Sequence, residues 1–185
     1  IGRALVKRLL SGGHEITVLT RQSLESTESV RYIKAIDDLQ IRQDIVINLA
    51  GAGLADRRWS PSYKKEIRVS RIDLTKALVK QLRNIGTPNL FISGSAIGIY
   101  GQSKDREFKE TDEPGSGFSA DLCHDWEAGA GELESEQTRC IVLRTGVVLN
   151  DSSGAYPQMT QSFRFGLASW MGKGDHWLSW IHLSD

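Results

Sequence analysis

Strand-like and helix-like stretches alternate along this chain with short links between them, and that pattern more than any other limits what it can fold into. Residues 3–10 carry apolar side chains at helical spacing. Leu5, Leu9 and Leu10 share one face, Lys7 and Arg8 the other, and Gly12-Gly13 stops the run. Residues 15–21 form a β-branched strand ending in Thr20-Arg21, residues 30–36 a second, and residues 44–50 a third that looks buried. A loop at 51–60 holds Gly51, Gly53 and the basic pair Arg57-Arg58. Pro61 opens a long helix that runs to about residue 84 and is closed by Gly86 and Pro88. Residues 89–95 read as a fourth strand, 96–117 as a glycine-rich acidic loop, and 119–136 as a helix with Trp126 and Leu133 inward. Residues 139–149 make a fifth, apolar strand, 156–165 a helical stretch, 166–175 a loop, and 176–183 alternate like a strand. Such alternation predicts an α/β fold with a doubly wound parallel sheet, helices on both faces and right-handed crossovers.

The 185 residues suit a single domain, 1–185, with substrate-side segments from about residue 150 onward. Lys plus Arg number 23 and so do Asp plus Glu, so there is no basic excess and a nucleic-acid partner is not expected. No apolar run reaches membrane-span length, and no signal peptide opens the chain. The two cysteines, Cys123 and Cys140, have no metal-ligand or disulfide spacing, so no metal is expected and the compartment reads as cytoplasmic. Ile1-Gly2-Arg3-Ala4-Leu5 is already helical and the last residues carry no stop signal. An N-terminal strand and a C-terminal part are therefore expected to be missing.

In a Rossmann-type dinucleotide-binding unit, the first strand runs into a glycine loop whose third glycine lies just inside the next helix. Gly2 occupies that place. Some 20 residues further on, an acid would select NAD by bonding the ribose 2′-hydroxyl. Here the strand ends in Thr20-Arg21 instead. Arginine pairs with a 2′-phosphate that an acid would repel, so the expected cofactor is NADP. Leu49, Ala50 and Gly51 close the third strand, where small residues let backbone approach a ligand.

The segments Leu-Thr-Arg at 19–21, Val-Ile-Asn-Leu-Ala-Gly at 46–51, Ile-Ser-Gly-Ser-Ala-Ile-Gly-Ile-Tyr-Gly at 92–101, Val-Leu-Arg-Thr-Gly-Val-Val-Leu at 142–149 and Ser-Trp-Ile-His-Leu-Ser-Asp at 179–185 occur in one order. Over essentially its whole length the chain resembles the extended short-chain dehydrogenase/reductases, the NAD-dependent epimerase/dehydratase superfamily. Ala55-Asp-Arg-Arg-Trp59 and Ser70-Arg71-Ile72 resemble its atypical "epimerase family protein" group, some members of which are labelled sugar-nucleotide epimerase or cell-division inhibitor. The resemblance implies NADP binding, with Thr20 and Arg21 at the adenosine phosphate end and Leu49, Ala50 and Gly51 beside the ribose and pyrophosphate. It also implies that Glu66 and Arg71 lie on the cofactor side of the long helix.

Members of that superfamily that move hydride use a Tyr-x-x-x-Lys pair on a helix and a Ser or Thr at the preceding strand end. Tyr100-Gly-Gln-Ser-Lys104 matches the letters, but it follows Ser95 too closely and its glycine argues against a helix. Anchored on Glu127 of the next helix, Ser119 falls at the tyrosine position and Cys123 at the lysine position, where it would lie against the cofactor; a one-residue shift puts Phe118 and Leu122 there, and neither register gives Tyr and Lys. Ser95 is the catalytic candidate at the strand end, a place that Ala96 takes if the register shifts by one. His124 and His182 are further acid/base groups near the expected pocket, and Trp177, Trp180 and His182 stand on the substrate side. A serine hydrolase is excluded, since Gly-x-Ser-x-Gly spacing fails around Ser95. The expectation is an NADP-binding oxidoreductase or epimerase-like protein acting on an unknown small molecule, or alternatively a non-catalytic NADP-binding regulatory protein.

Overall fold

The computed structural model describes residues 1–151, 154–166 and 177–185. Helix α1 (Gly2–Ser11) precedes strands β1 (Ile16–Leu19), β2 (Val30–Ile33) and β3 (Ile45–Asn48). The long helix expected after Pro61 is α2 (Pro61–Arg68) and α3 (Leu74–Ile85), joined by a π-helical turn at Val69–Asp73. Then come β4 (Leu90–Ala96), a 3₁₀ turn at Ile97–Tyr100, α4 (Phe118–Gly131), β5 (Arg139–Thr145), β6 (Val147–Leu149), α5 (Ala155–Thr160) and β7 (Trp180–His182).

Every strand pairing among the described residues is parallel, with β1 beside β2, β4 between β3 and β5, and β6 beside β7. With α2 and α3 linking β3 to β4 and α4 linking β4 to β5, this is the expected doubly wound α/β architecture. Hydrogen bonding nonetheless divides the strands into three groups rather than one sheet. In the strand order of doubly wound folds, β1 and β3 would flank one further strand. The unpaired edge of β3 explains a correction: Ile45 is 55% exposed, so the third strand is not buried throughout.

Local chemistry fixes the helix ends. Ser60 caps α2 by accepting from the Tyr63 amide at 3.2 Å, and Pro61 takes the first helical position. Gly86, with φ of 108°, ends α3 in a conformation that only glycine adopts without strain. Helix α4 stops at Gly131 rather than at residue 136. The expected fifth strand breaks at Gly146, where a Cβ would stand 2.6 Å from the Ser179 carbonyl oxygen. Of the expected strand at 176–183 only Trp180–His182 pairs; residue 176 and most of the expected loop at 166–175 lie outside the described residues.

Two apolar clusters hold the layers together. One packs Leu78, Val79 and Leu82 of α3 against Phe91 of β4, Ile33 of β2 and Leu133 beyond α4. The other packs Tyr63, Ile67 and Ile72 against Leu122 and Trp126 of α4. The long helix is thus packed on β4 through Phe91 and on α4 through Trp126 and Leu122. Helix α1 is different, for it buries no residue and Ile1 is 61% exposed. No helix among the described residues is long and apolar enough to cross a membrane.

Candidate functional site

The C-terminal ends of β3 and β4 meet the π-helical turn and α4. A π turn inserts one extra residue per turn and re-aims the side chains around it. Here it turns Ser70 and Arg71 toward the loop after β3. The Ser70 hydroxyl accepts from the Ala52 amide at 2.9 Å, and Arg71 donates to the Ala52 carbonyl at 2.9 Å. Arg71 is 9% exposed and also donates to the Ile67 carbonyl at 3.4 Å, with its guanidinium 5.4 Å from the Trp126 ring centroid. No carboxylate pairs with it among the described residues, and burial pulls its pKa below the usual arginine value. Gly51 lets the guanidinium come this close, since a Cβ would stand 2.7 Å from its central carbon and Arg71 would have to move. Ala50 donates its amide to the Asn48 side chain at 3.2 Å, while Leu49 points partly to solvent. Beneath them Thr75 receives both Asn48 Nδ2 at 2.8 Å and Trp126 Nε1 at 3.1 Å, so the polar groups under the strand end are satisfied.

Ser95, 7% exposed, donates its hydroxyl to Glu127 Oε1 at 2.5 Å. Arg144 is the register partner of Ser95 across β4 and β5, and it grips the same carboxylate with two donors, at 3.0 and 2.8 Å. The guanidinium also donates to the Tyr100 hydroxyl and to the Glu110 carbonyl, each at 2.8 Å. This pairing raises the Arg144 pKa above an ordinary arginine. Glu127 is therefore held by one cation and one hydroxyl, in a geometry that fixes the rotamer of Ser95. Sequence reasoning used Glu127 only as a position marker and passed over Arg144. The signal available was an arginine near the end of an otherwise apolar strand.

Cys123 lies 3% exposed against Ser95 and the Ala96 backbone, and burial pushes its thiol pKa up, so it is a neutral group. It is in contact with the strand-end serine, and a neutral thiol cannot supply the charge expected of a lysine at that position. Tyr100 ends the 3₁₀ turn, its ring stacked on Phe108, and Lys104 follows in a loop. The two therefore do not stand one α-helical turn apart.

Four expected residues are not drawn into this group. Glu66 pairs with Arg57 at 3.4 Å on the solvent side, because Tyr63 and Ile67 take the buried stripe of α2. A Cβ on Gly2 would meet nothing within 4 Å, so the packing that would demand glycine there is not made. Thr20 and Arg21 stand beyond the end of β1; the Thr20 hydroxyl accepts from the Gln22 amide at 3.1 Å, and the Arg21 guanidinium has no partner among the described residues. His124 is exposed beside Asp125 at 3.4 Å, and His182 bonds Ser184 at 2.7 Å. Trp177 donates to the Lys104 carbonyl at 2.9 Å but is 83% exposed, and Trp180 is 61% exposed. No group of three or more His, Cys, Asp or Glu among the described residues could hold a metal.

Residues 1–185 match the model of the NAD dependent epimerase/dehydratase family. A curated epimerase family protein of Mycobacterium bovis is 35% identical over 189 residues, covering 100% of this chain and 62% of that protein. The chain thus spans less than two thirds of that relative. The crystal structure of human epimerase family protein SDR39U1 (isoform 2) with NADPH superposes with a TM-score of 0.86 at 31% identity, over 100% of this chain and 63% of that one. A nucleoside-diphosphate sugar epimerase from Corynebacterium glutamicum gives a TM-score of 0.78 at 33% identity, over 100% and 39%.

Proposed function

As the chain belongs to the NAD dependent epimerase/dehydratase family, we propose that it is an NADP-binding oxidoreductase or epimerase-like protein acting on a small molecule. The observation that carries the cofactor choice is Arg21, an uncompensated guanidinium at the end of β1 where an NAD-selecting protein places an acid. The likeness to a human protein solved with NADPH supports the same choice. Thr20 and Arg21 would take the adenosine phosphate, and Leu49, Ala50 and Gly51, braced from below by Arg71 and Ser70, would line the ribose and pyrophosphate. Gly2 opens α1, whose first amides have no side-chain cap and suit an anion. Bound NADP would accept or return hydride at its nicotinamide ring.

Ser95 is the group proposed to orient the substrate oxygen. Its proton is committed to Glu127, so its oxygen lone pairs are left to accept from a substrate hydroxyl. Glu127 cannot swing away, because Arg144 fixes both of its oxygens. The Corynebacterium relative is named for a nucleoside-diphosphate sugar, so such sugars are the first substrates to try. A second reading, a non-catalytic NADP-binding regulator, is favoured by one observation: the lysine position holds the buried, neutral Cys123.

Competition titration tests the cofactor assignment. NADP should bind more tightly than NAD, and Arg21→Ala should erase most of the difference, since a charge-assisted contact contributes about 1.5–3 kcal/mol. Equal affinity for both cofactors in the unaltered protein would remove the proposal.

A further inference from the structure

We propose that Lys34 is a second cationic determinant of 2′-phosphate selection, acting with Arg21 from the adjoining strand; this rests on the NADP reading above. The parallel register makes the juxtaposition. Leu19 pairs with Ile33, and the Thr20 amide continues the ladder to the Ile33 carbonyl at 3.0 Å, so Lys34 leaves β2 beside the turn that carries Arg21. The Lys34 ammonium folds into that turn. It donates to the Gln22 carbonyl in a short contact, to Ser23 Oγ at 3.3 Å and, weakly, to the Arg21 carbonyl at 3.5 Å.

These partners are two carbonyls and a hydroxyl, none of them an anion. No carboxylate forms an ion pair with Lys34 or Arg21 among the described residues. The neighbouring acid, Asp38, is turned to other donors: its carboxylate accepts the amides of Ala35 at 2.9 Å and Lys34 at 3.3 Å. Two uncompensated cations therefore stand at the C-terminal ends of adjacent parallel strands, the edge on which α/β sheets bind their ligands. The dianionic ester that matches them is a ribose 2′-phosphate. Lys34 contributes charge and holds the 21–23 backbone, and Arg21 contributes the planar donors. The sequence alone hides this, because Lys34 lies 13 residues from Arg21 and only strand pairing unites them.

Adenosine 2′,5′-bisphosphate and adenosine 5′-monophosphate probe this corner and differ only in the 2′-phosphate. They would be titrated into the 185-residue protein by NMR, beside Lys34→Gln, Lys34→Arg and Arg21→Ala, with circular dichroism to verify folding. The unaltered protein should prefer the bisphosphate. Lys34→Gln should reduce that preference severalfold by weakening the bisphosphate alone, with Lys34→Arg keeping most of it. A preference lost with Arg21→Ala but unchanged in Lys34→Gln would overturn the role of Lys34 while leaving the NADP reading standing. Equal weakening of both nucleotides in Lys34→Gln would also overturn it, reducing the lysine to a prop of the turn. No preference in the unaltered protein would sink the NADP reading and this proposal with it.

Discussion

Tyr100 and Lys104 spell out a catalytic signature on a backbone that does not form the α-helix such a pair needs. Tyr100 is the last residue of a 3₁₀ turn, Gly101 follows at φ of 76°, and the tyrosine hydroxyl is taken up as the acceptor of an Arg144 donor. Tyr100→Phe should therefore leave any NADPH oxidation close to that of the unaltered protein, whereas loss of a true proton donor brings a fall of about 10²–10⁴-fold. The substitution should instead lower stability by about 0.5–1.5 kcal/mol, through one lost hydrogen bond, as read in urea unfolding. A collapse of turnover with stability intact would restore the tyrosine to the reaction. The thiols make a separate prediction. Burial, the Glu134 hydrogen bond and the Glu134 charge push Cys140 up to about 11 from an ordinary 9.0. Below the ordinary value both folded and unfolded thiols are protonated, and Cys140 adds no pH dependence. Above it the unfolded chain releases its proton first, so the unfolded state gains and stability falls until the folded thiol also ionises. Unfolding curves from pH 8 to 11 should show this decline, and Cys140→Ala should show less of it; identical slopes would exclude the thiol as its source.

Among the elements, the strands and the helix starts were legible because glycine, proline and β-branched residues punctuate them. Pro61 and Gly86 bracket the long helix as the sequence reading expected. The π turn inside it was not legible. The apolar pattern of residues 61–85 continues through Val69–Asp73 without a breaker, and the extra residue is stabilised by what it reaches, namely the Ala52 amide and carbonyl. That also explains why Arg71 turns toward the loop after β3 and Glu66, on the same long helix, does not. Glu66 lies in the regular α2 portion, with its face set by Tyr63 and Ile67, while the π turn re-aims Arg71 inward. The Ser95–Glu127–Arg144 group escaped for a related reason, since its members sit on β4, α4 and β5 and meet only through parallel register. Ser70→Ala tests the link between the π turn and the strand end. It removes the acceptor for the Ala52 amide, at an expected cost of about 1 kcal/mol. Hydrogen exchange at Ala52 should accelerate while Phe91 and Leu82 in the core stay protected. Uniform acceleration across the core would mean that Ser70 supports global stability rather than this loop.

On the scale of the whole molecule, the alternating pattern made the α/β class readable, because a chain of amphipathic helices and apolar strands has few ways to bury both. Sheet continuity was not readable from pattern, since it depends on which edges find partners. Here β1 and β3 each have one hydrogen-bonded neighbour, and α1, although amphipathic, buries none of its residues. A dinucleotide is held chiefly where a glycine loop delivers its pyrophosphate to the N-terminus of the first helix. Gly2 is the residue expected from that loop, and a Cβ there would meet open space. Residues 1–185 taken on their own should therefore bind NADP weakly. Extending them ahead of Ile1 with a strand and glycine loop of the Rossmann type should add a parallel strand to the open edges of β1 and β3. It should also cover the apolar face of α1 and tighten NADP binding by at least about tenfold, which corresponds to roughly 1.4 kcal/mol. Isothermal titration of the two forms, with thermal unfolding run alongside, separates the effects. A stabilised fusion with unchanged affinity would show that the strand completes the sheet without building the pyrophosphate site. Tight NADP binding by the 185 residues alone would show that the end of β3 and the Arg21 turn suffice.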